Sequence, residues 1–185
     1  MFVTSVFARA KRKLFLVWGM VALASCASKP VVIVQNERPL FKLETYFAGH
    51  THSWGVFENR AGEPTEILRT VTNGRWDGEH LHFEQDITFG SGKKEHRSWL
   101  ITRLDDRHYS ATGTGIVGIA LGETSGNALH LDFTLDAVPG NPLGHVHMSQ
   151  WLYLHSDGKM VVNRATVTKA GIVVAEITEQ FQKDR

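Results

Sequence analysis

The chain of 185 residues has a single cysteine, Cys26, so no disulfide can form within it. No apolar run reaches the length of about 20 residues that a membrane-spanning helix needs. The run that comes nearest, Leu14 to Ser25, stops short of it. A Gly-x-Ser-x-Gly nucleophile elbow is missing too, because Gly90-Ser91-Gly92 lacks the spacing. Nor is there an excess of positive charge on the body of the protein. The twenty Lys and Arg side chains face nineteen acids, and four of the bases (Arg9, Lys11, Arg12, Lys13) fall within residues 1–25, which hold no acid. The remainder is therefore net acidic and offers no electrostatic footprint for nucleic acid.

What is present at the N-terminus is a targeting pattern. A basic stretch ending at Lys13 precedes the short apolar run, which is the arrangement of a signal peptide rather than of an anchor helix. Leu23-Ala24-Ser25-Cys26 resembles the bacterial lipobox, in which the cysteine thiol receives a diacylglyceryl group and becomes the first residue after cleavage. The resemblance implies a signal peptide over 1–25, lipid attachment at Cys26, and membrane association through that lipid. Ala27 stands where an aspartate usually retains such proteins at the inner membrane, so the resemblance implies the outer membrane, facing the periplasm. Residues 26–40 read as a tether. Lys29-Pro30 and Arg38-Pro39 disfavour helix there, although "VVIVQ" could be recruited as an edge strand.

From residue 41 to 185 the sequence reads as one all-β domain. In "NALHLDFTLDA", Leu129, Leu131, Phe133 and Leu135 alternate with polar residues, as a strand with one buried face requires. "EHLHFEQDITF" alternates likewise, and "HRSWLITRL" is rich in aromatic and branched residues. Asp77-Gly78 and Asp157-Gly158 are expected to form type I′ hairpin turns. Further reversals are expected at Gly90-Ser91-Gly92 and Lys169-Ala170-Gly171. The pattern predicts nine strands, near 51–58, 66–76, 79–89, 95–105, 108–121, 127–138, 147–155, 160–168 and 172–182. "PLFKLETYF" ahead of them reads as a short helix or an irregular plug. A mainly antiparallel meander of this kind favours closure into a barrel of about eight to ten strands, which removes exposed edges. Gly74-Arg75-Trp76 is similar to the short Gly-x-Trp signature of lipocalins, so the expected architecture is lipocalin-like. If Asp157-Gly158 turns the chain, Ser156 lies opposite Lys159 and Trp151 opposite Arg164, with the guanidinium over the indole.

The blocks "LETYFAGHTHSWGVFENRAG", "GRWDGEHL", "GNAL", "WLYL" and "VVNRATVTKAGIVVAEITEQFQK" together resemble the bacterial lipoproteins of domain-of-unknown-function family 3833. The resemblance implies an envelope lipoprotein with a β-rich body and no established activity. The chain departs from the family pattern where acids are usual, at Ser149-Gln150 and within Thr112–Gly122. If those acids carry chemistry, this chain lacks it.

Three constellations bear on function. Gly113, Gly115 and Gly118 match a dinucleotide-loop spacing, but no helix follows to hold a pyrophosphate. A glycine-rich strand with a bulge is the better reading. The pairs His50/His52, His80/His82 and His145/His147 could each chelate a metal from one strand face. His80 and His82 lie opposite Leu81 and Phe83, however, on a face expected to meet solvent. No metal or cofactor site is therefore assigned, and no catalytic residue. The aromatic and polar set Trp54, Trp76, Arg97, Trp99, Asn127, Trp151, Asn163 and Arg164 supplies the candidates for a ligand cavity with apolar walls and a few placed polar groups. The expected function is binding or carrying a lipid or other apolar ligand. The competing readings are a lipid-modifying enzyme, with or without a metal, and a structural envelope-assembly partner with a filled barrel.

Overall fold

A computed structural model describes residues 34–184. The signal segment, Cys26 and the first part of the tether lie outside the described residues. Ten antiparallel strands follow one another around a closed barrel. They are β1 (Gly49–Asn59), β2 (Pro64–Trp76), β3 (His80–Phe89), β4 (Lys94–Arg103) and β5 (His108–Gly113), then β6 (Ile116–Ser125), β7 (Ala128–Asp136), β8 (His145–Leu154), β9 (Met160–Lys169) and β10 (Ile172–Lys183). Each strand pairs with the next in sequence, and β1 pairs with β10 from Thr51↔Lys183 to Asn59↔Ala175. That last pairing leaves the barrel no free edge, as the meander required.

The expected alternation is realised. Leu129 and Phe133 of β7 are buried within the barrel, and Leu81 and Phe83 of β3 point the same way while His82 and Glu84 face outward. One predicted strand proves to be two. The stretch 108–121 divides at Thr114-Gly115, where Gly115 turns with φ of 74° and Asp136 N–H donates to its carbonyl. The bulge lies further on, at Gly118 (φ 76°), where the β6–β7 register shifts between Val117 and Leu121. Val34 and Gln35 form part of a turn rather than an edge strand; Glu37 N–H donates to Val34 O.

The turn chemistry also differs from expectation. Among the described residues Ala170 is the non-glycine residue with positive φ, at 49°, so neither Asp77 nor Asp157 adopts the left-handed conformation that a type I′ turn demands of its first central residue. Those aspartates act through their side chains. Asp77 Oδ1 accepts from the N–H groups of Glu79 and His80, and Asp157 Oδ1 from that of Lys159. Only the glycines, Gly78 and Gly158, take positive φ. The two-residue turn with both central residues at positive φ is Ala170-Gly171, joining the Lys169↔Ile172 pair. The register expected around Asp157-Gly158 nevertheless holds, with Trp151 opposite Arg164. The expected contact between them is replaced: Arg164 Nη2 lies 3.1 Å from both carboxylate oxygens of Glu176, and the indole stacks at 4.4 Å on His130.

A single-turn helix, α1 (Leu43–Tyr46), closes one end of the barrel. Four residues cannot sustain a helix by backbone hydrogen bonding, so packing holds it. Phe41, Leu43, Tyr46 and Phe47 are all buried. Phe47 meets Phe83 and Phe181 edge-on at 5.0 and 5.6 Å. Tyr46 Oη lies 3.0 Å from Lys159 O and 3.2 Å from Phe181 O. Tyr109 Oη donates to Glu44 Oε2 at 2.8 Å, and Arg103 stands 3.4 Å from the other carboxylate oxygen. Gly74 makes the close approach feasible, because a Cβ there would sit 1.8 Å from the Phe47 carbonyl oxygen. The segment "PLFKLETYF" is thus both things its sequence suggested: a short helix and a plug.

Candidate ligand cavity

Inside the barrel, between the plug and the opposite rim, lies a cavity of about 140 Å³. This is close to the roughly 150 Å³ that takes up one benzene-sized molecule in a protein interior, and below the range of about 300–1,000 Å³ for drug-sized ligands. Leu43 and Phe47 of the plug bound it at one end and Phe57 and Phe89 near the other, while Trp99 and Phe133 contribute to the wall. Trp99 meets Phe133 edge-on at 5.3 Å. Period two on β3, β4 and β7 delivers these rings to the inner face.

A polar group crosses this apolar lining. Glu179 of β10 shares the inner face with Ile177 and Phe181 and is buried. Ser53 Oγ donates to its Oε1 at 2.6 Å, Thr70 Oγ1 lies 3.4 Å from the same oxygen, and Asn163 Nδ2 lies 3.5 Å from Oε2. Gly55, opposite Glu179 in the register, leaves room for its carbon stem; a Cβ there would stand 2.9 Å from Glu179 Cβ. Burial raises the Glu179 pKa; the hydrogen bonds from Ser53, Asn163 and Thr70 and the charge of Arg97 pull the other way without cancelling it. Arg97 lines the cavity from β4, and its Nη2 donates to Glu95 Oε2 at 2.8 Å. Partial burial opposes ionisation of Glu95, but hydrogen bonds from Lys93 and Arg97 outweigh it and hold the carboxyl below its ordinary value. Gln85, paired with Arg97 across the strands, accepts from Trp99 Nε1 at 3.1 Å. Gln150 completes the polar set. Asn163 Oδ1 is buried with no hydrogen-bond partner among the described residues.

Of the residues selected from sequence, Arg97, Trp99 and Asn163 line this cavity. The others do not converge on it. Trp54 is on the outer face, half exposed, because Thr51, Ser53 and Gly55 take the inner positions of β1. Trp151 and Arg164 are on the outer face as well, in the contacts given above. Trp76 points inward but at the closed end, packed against the core and bordering a surface groove with Arg103. Asn127 is structural: its Nδ2 donates to Leu154 O, beside the start of β7. Glu179, Ser53, Thr70, Gln85 and Gln150 were missed. The signal for Glu179 was a carboxylate at the apolar parity of "ITEQF", between Ile177 and Phe181.

The histidine pairs stay apart. His52 lies 2.7 Å from Asp184, His82 2.9 Å from Asp77 and His147 3.2 Å from Asp132, all on the outer face. Among the described residues no group of three metal-ligating side chains comes together. His130 Nε2 is 2.8 Å from Ser149 Oγ, again outside the barrel. Partial burial lowers the His130 pKa. Ser149 lies on a strand paired on both sides, so the surrounding ladder offers no pair of free N–H groups to stabilise an oxyanion.

Trp99 ties the polar and apolar parts of the wall together. Trp99→Phe should retain the ring contact with Phe133 but strand the Gln85 carbonyl, at a cost of about 1 kcal/mol. Urea unfolding should show a lower midpoint with an unchanged slope; an unchanged midpoint would remove the Gln85 bond from the account.

The fold has solved counterparts of low sequence identity. The S-type phycobiliprotein lyase CPES from Guillardia theta aligns with a TM-score of 0.59 at 9% identity, over 77% of this chain and 91% of that one. Rv2717c from M. tuberculosis aligns with a TM-score of 0.59 at 13% identity, over 77% and 97%. A protein of unknown function from the DUF3598 family of Nostoc punctiforme aligns with a TM-score of 0.54 at 16% identity, over 85% and 53%. At these identities the likeness is one of fold: lipocalin-like barrels. No curated protein sequence matches the chain. The sequence blocks and the closed barrel agree with the match over residues 20–183, and the chain belongs to the family described as "Protein of unknown function (DUF3833)".

Proposed function

We propose that this protein binds a small apolar molecule inside its barrel and is held at the outer membrane, facing the periplasm, by lipid on Cys26. The observation that carries the binding reading is the aromatic-walled cavity crossed by the hydrogen-bonded Glu179. A merely structural barrel would gain stability by filling that space with hydrocarbon, since an unfilled volume forfeits contacts. The fold shared with a phycobiliprotein lyase supports a barrel architecture able to enclose a ligand. The anchor reading rests on the lipobox-like Leu23-Ala24-Ser25-Cys26 after a short apolar run. Two or more acyl chains make attachment stable, at about 0.8 kcal/mol per buried methylene.

The test is mass spectrometry of the full chain purified from its native envelope. One apolar molecule per protein should be recovered, and Ala111→Leu, which adds bulk to the cavity wall, should reduce its recovery. Recovery that is equal in the variant, or no bound molecule in either, rejects internal binding. In the same samples the mature N-terminus should be a diacylglyceryl-modified Cys26; an unmodified Cys26 rejects the anchor independently of the cavity.

A further inference from the structure

The charged side chains lining the cavity are Arg97 and Glu179. Arg97 already donates to Glu95 at 2.8 Å, on the same inner face of β4, and its charge also acts on Glu179. Among the described residues that line the cavity, the one cationic side chain is thus offset by Glu95 before any anion enters. The uncommitted polar capacity is of another kind: the Gln150 side-chain amide at the wall. Deeper in, Asn163 Oδ1 is buried with no partner among the described residues.

We propose that the cavity selects an apolar molecule with an uncharged hydrogen-bonding head, such as a hydroxyl, and rejects the corresponding carboxylate. The inference rests on the internal binding proposed above and names the chemical class it takes. A ligand carboxylate would enter a water-poor site beside Glu179, with Arg97 matched by Glu95, and would bring an unpaired charge out of water. A hydroxyl carries no such burden and can both donate to and accept from an amide. Glu95 thereby becomes a specificity-determining residue, acting through Arg97.

Equilibrium dialysis of the full chain at pH 7, with the cavity shown by mass spectrometry to be empty, tests this with toluene, benzyl alcohol and benzoate, all matched to the cavity size. Benzyl alcohol should bind, and benzoate at least about tenfold more weakly. Glu95→Gln keeps an acceptor for Arg97 but removes the charge that offsets it, and should strengthen benzoate binding severalfold relative to benzyl alcohol. Benzoate binding as tightly as benzyl alcohol overturns the inference and leaves apolar uptake standing. So does toluene binding without benzyl alcohol, or a benzoate affinity that Glu95→Gln does not change. Binding of none of the three overturns both the inference and the reading beneath it.

Discussion

Phe47→Ala is expected to destabilise the protein by about 3–5 kcal/mol, the range for truncating a buried phenylalanine. Phe47 is 3% exposed and sits where the plug meets the barrel wall. Its ring touches Phe83 on β3, Phe181 on β10 and Tyr46 within α1. Truncation removes the edge-to-face contacts as well as the apolar burial. It also merges the space vacated by the ring with the cavity, which Phe47 itself bounds, so the loss cannot be recovered by simple collapse. Urea unfolding followed by tryptophan fluorescence measures the effect, and Phe47→Leu should cost less than half as much. A loss below about 1 kcal/mol would show that the plug lies outside the cooperative unit of the barrel.

The barrel was legible because its physics is periodic. Interior and exterior alternate along every strand, so Leu129, Leu131, Phe133 and Leu135 declared their face without knowledge of their partners. The Asp157-Gly158 signal fixed the Trp151↔Arg164 register even though the turn type differed, since register depends on where the chain reverses more than on how. The break at Thr114-Gly115 was not legible. Glycines at 113, 115 and 118 fit a bulged strand and a tight turn equally well, and the structure uses both.

The site was less legible for a specific reason. Selecting tryptophans assumes that the largest apolar side chains face the ligand. On β1 the rule inverts: the inner positions are Thr51, Ser53 and Gly55, and Trp54 faces out. Ser53 and Gly55 are small where the carbon stem and carboxyl of Glu179 occupy that side of the interior. A sequence shows small residues on a strand but not what fills the space they leave. Arg97, selected as one of an aromatic and polar set, shares a face with Trp99 in "EHRSWL". Glu179 shares a face with Ile177 and Phe181 in the same manner, and parity applied to charged residues would have selected it. The partnering of Arg97 by Glu95, two residues away on the same face, gives the cavity its charge balance.

That buried carboxyl should make stability depend on pH in a direction opposite to that of a salt-bridged acid. The folded pKa of Glu179 lies above its ordinary value near 4.5, chiefly through burial. Between the two values the folded chain holds more protons at this site than the unfolded chain does. Stability therefore falls as pH rises through that window, by up to about 1.4 kcal/mol per pH unit for one proton. The contribution is fully present below the unfolded value and is lost once pH exceeds the folded one. Glu179→Gln keeps the shape and an acceptor for Ser53 but cannot titrate. The difference in unfolding free energy between wild type and Glu179→Gln, measured in urea at steps from pH 4.5 to 8, cancels the titration of the surface histidines and carboxylates common to both. It should shift steadily in favour of the variant as pH rises and then level off where Glu179 is ionised in both states. Two parallel curves would mean that Glu179 titrates in the folded protein as it does in the unfolded chain, and that the barrel interior around it is wet.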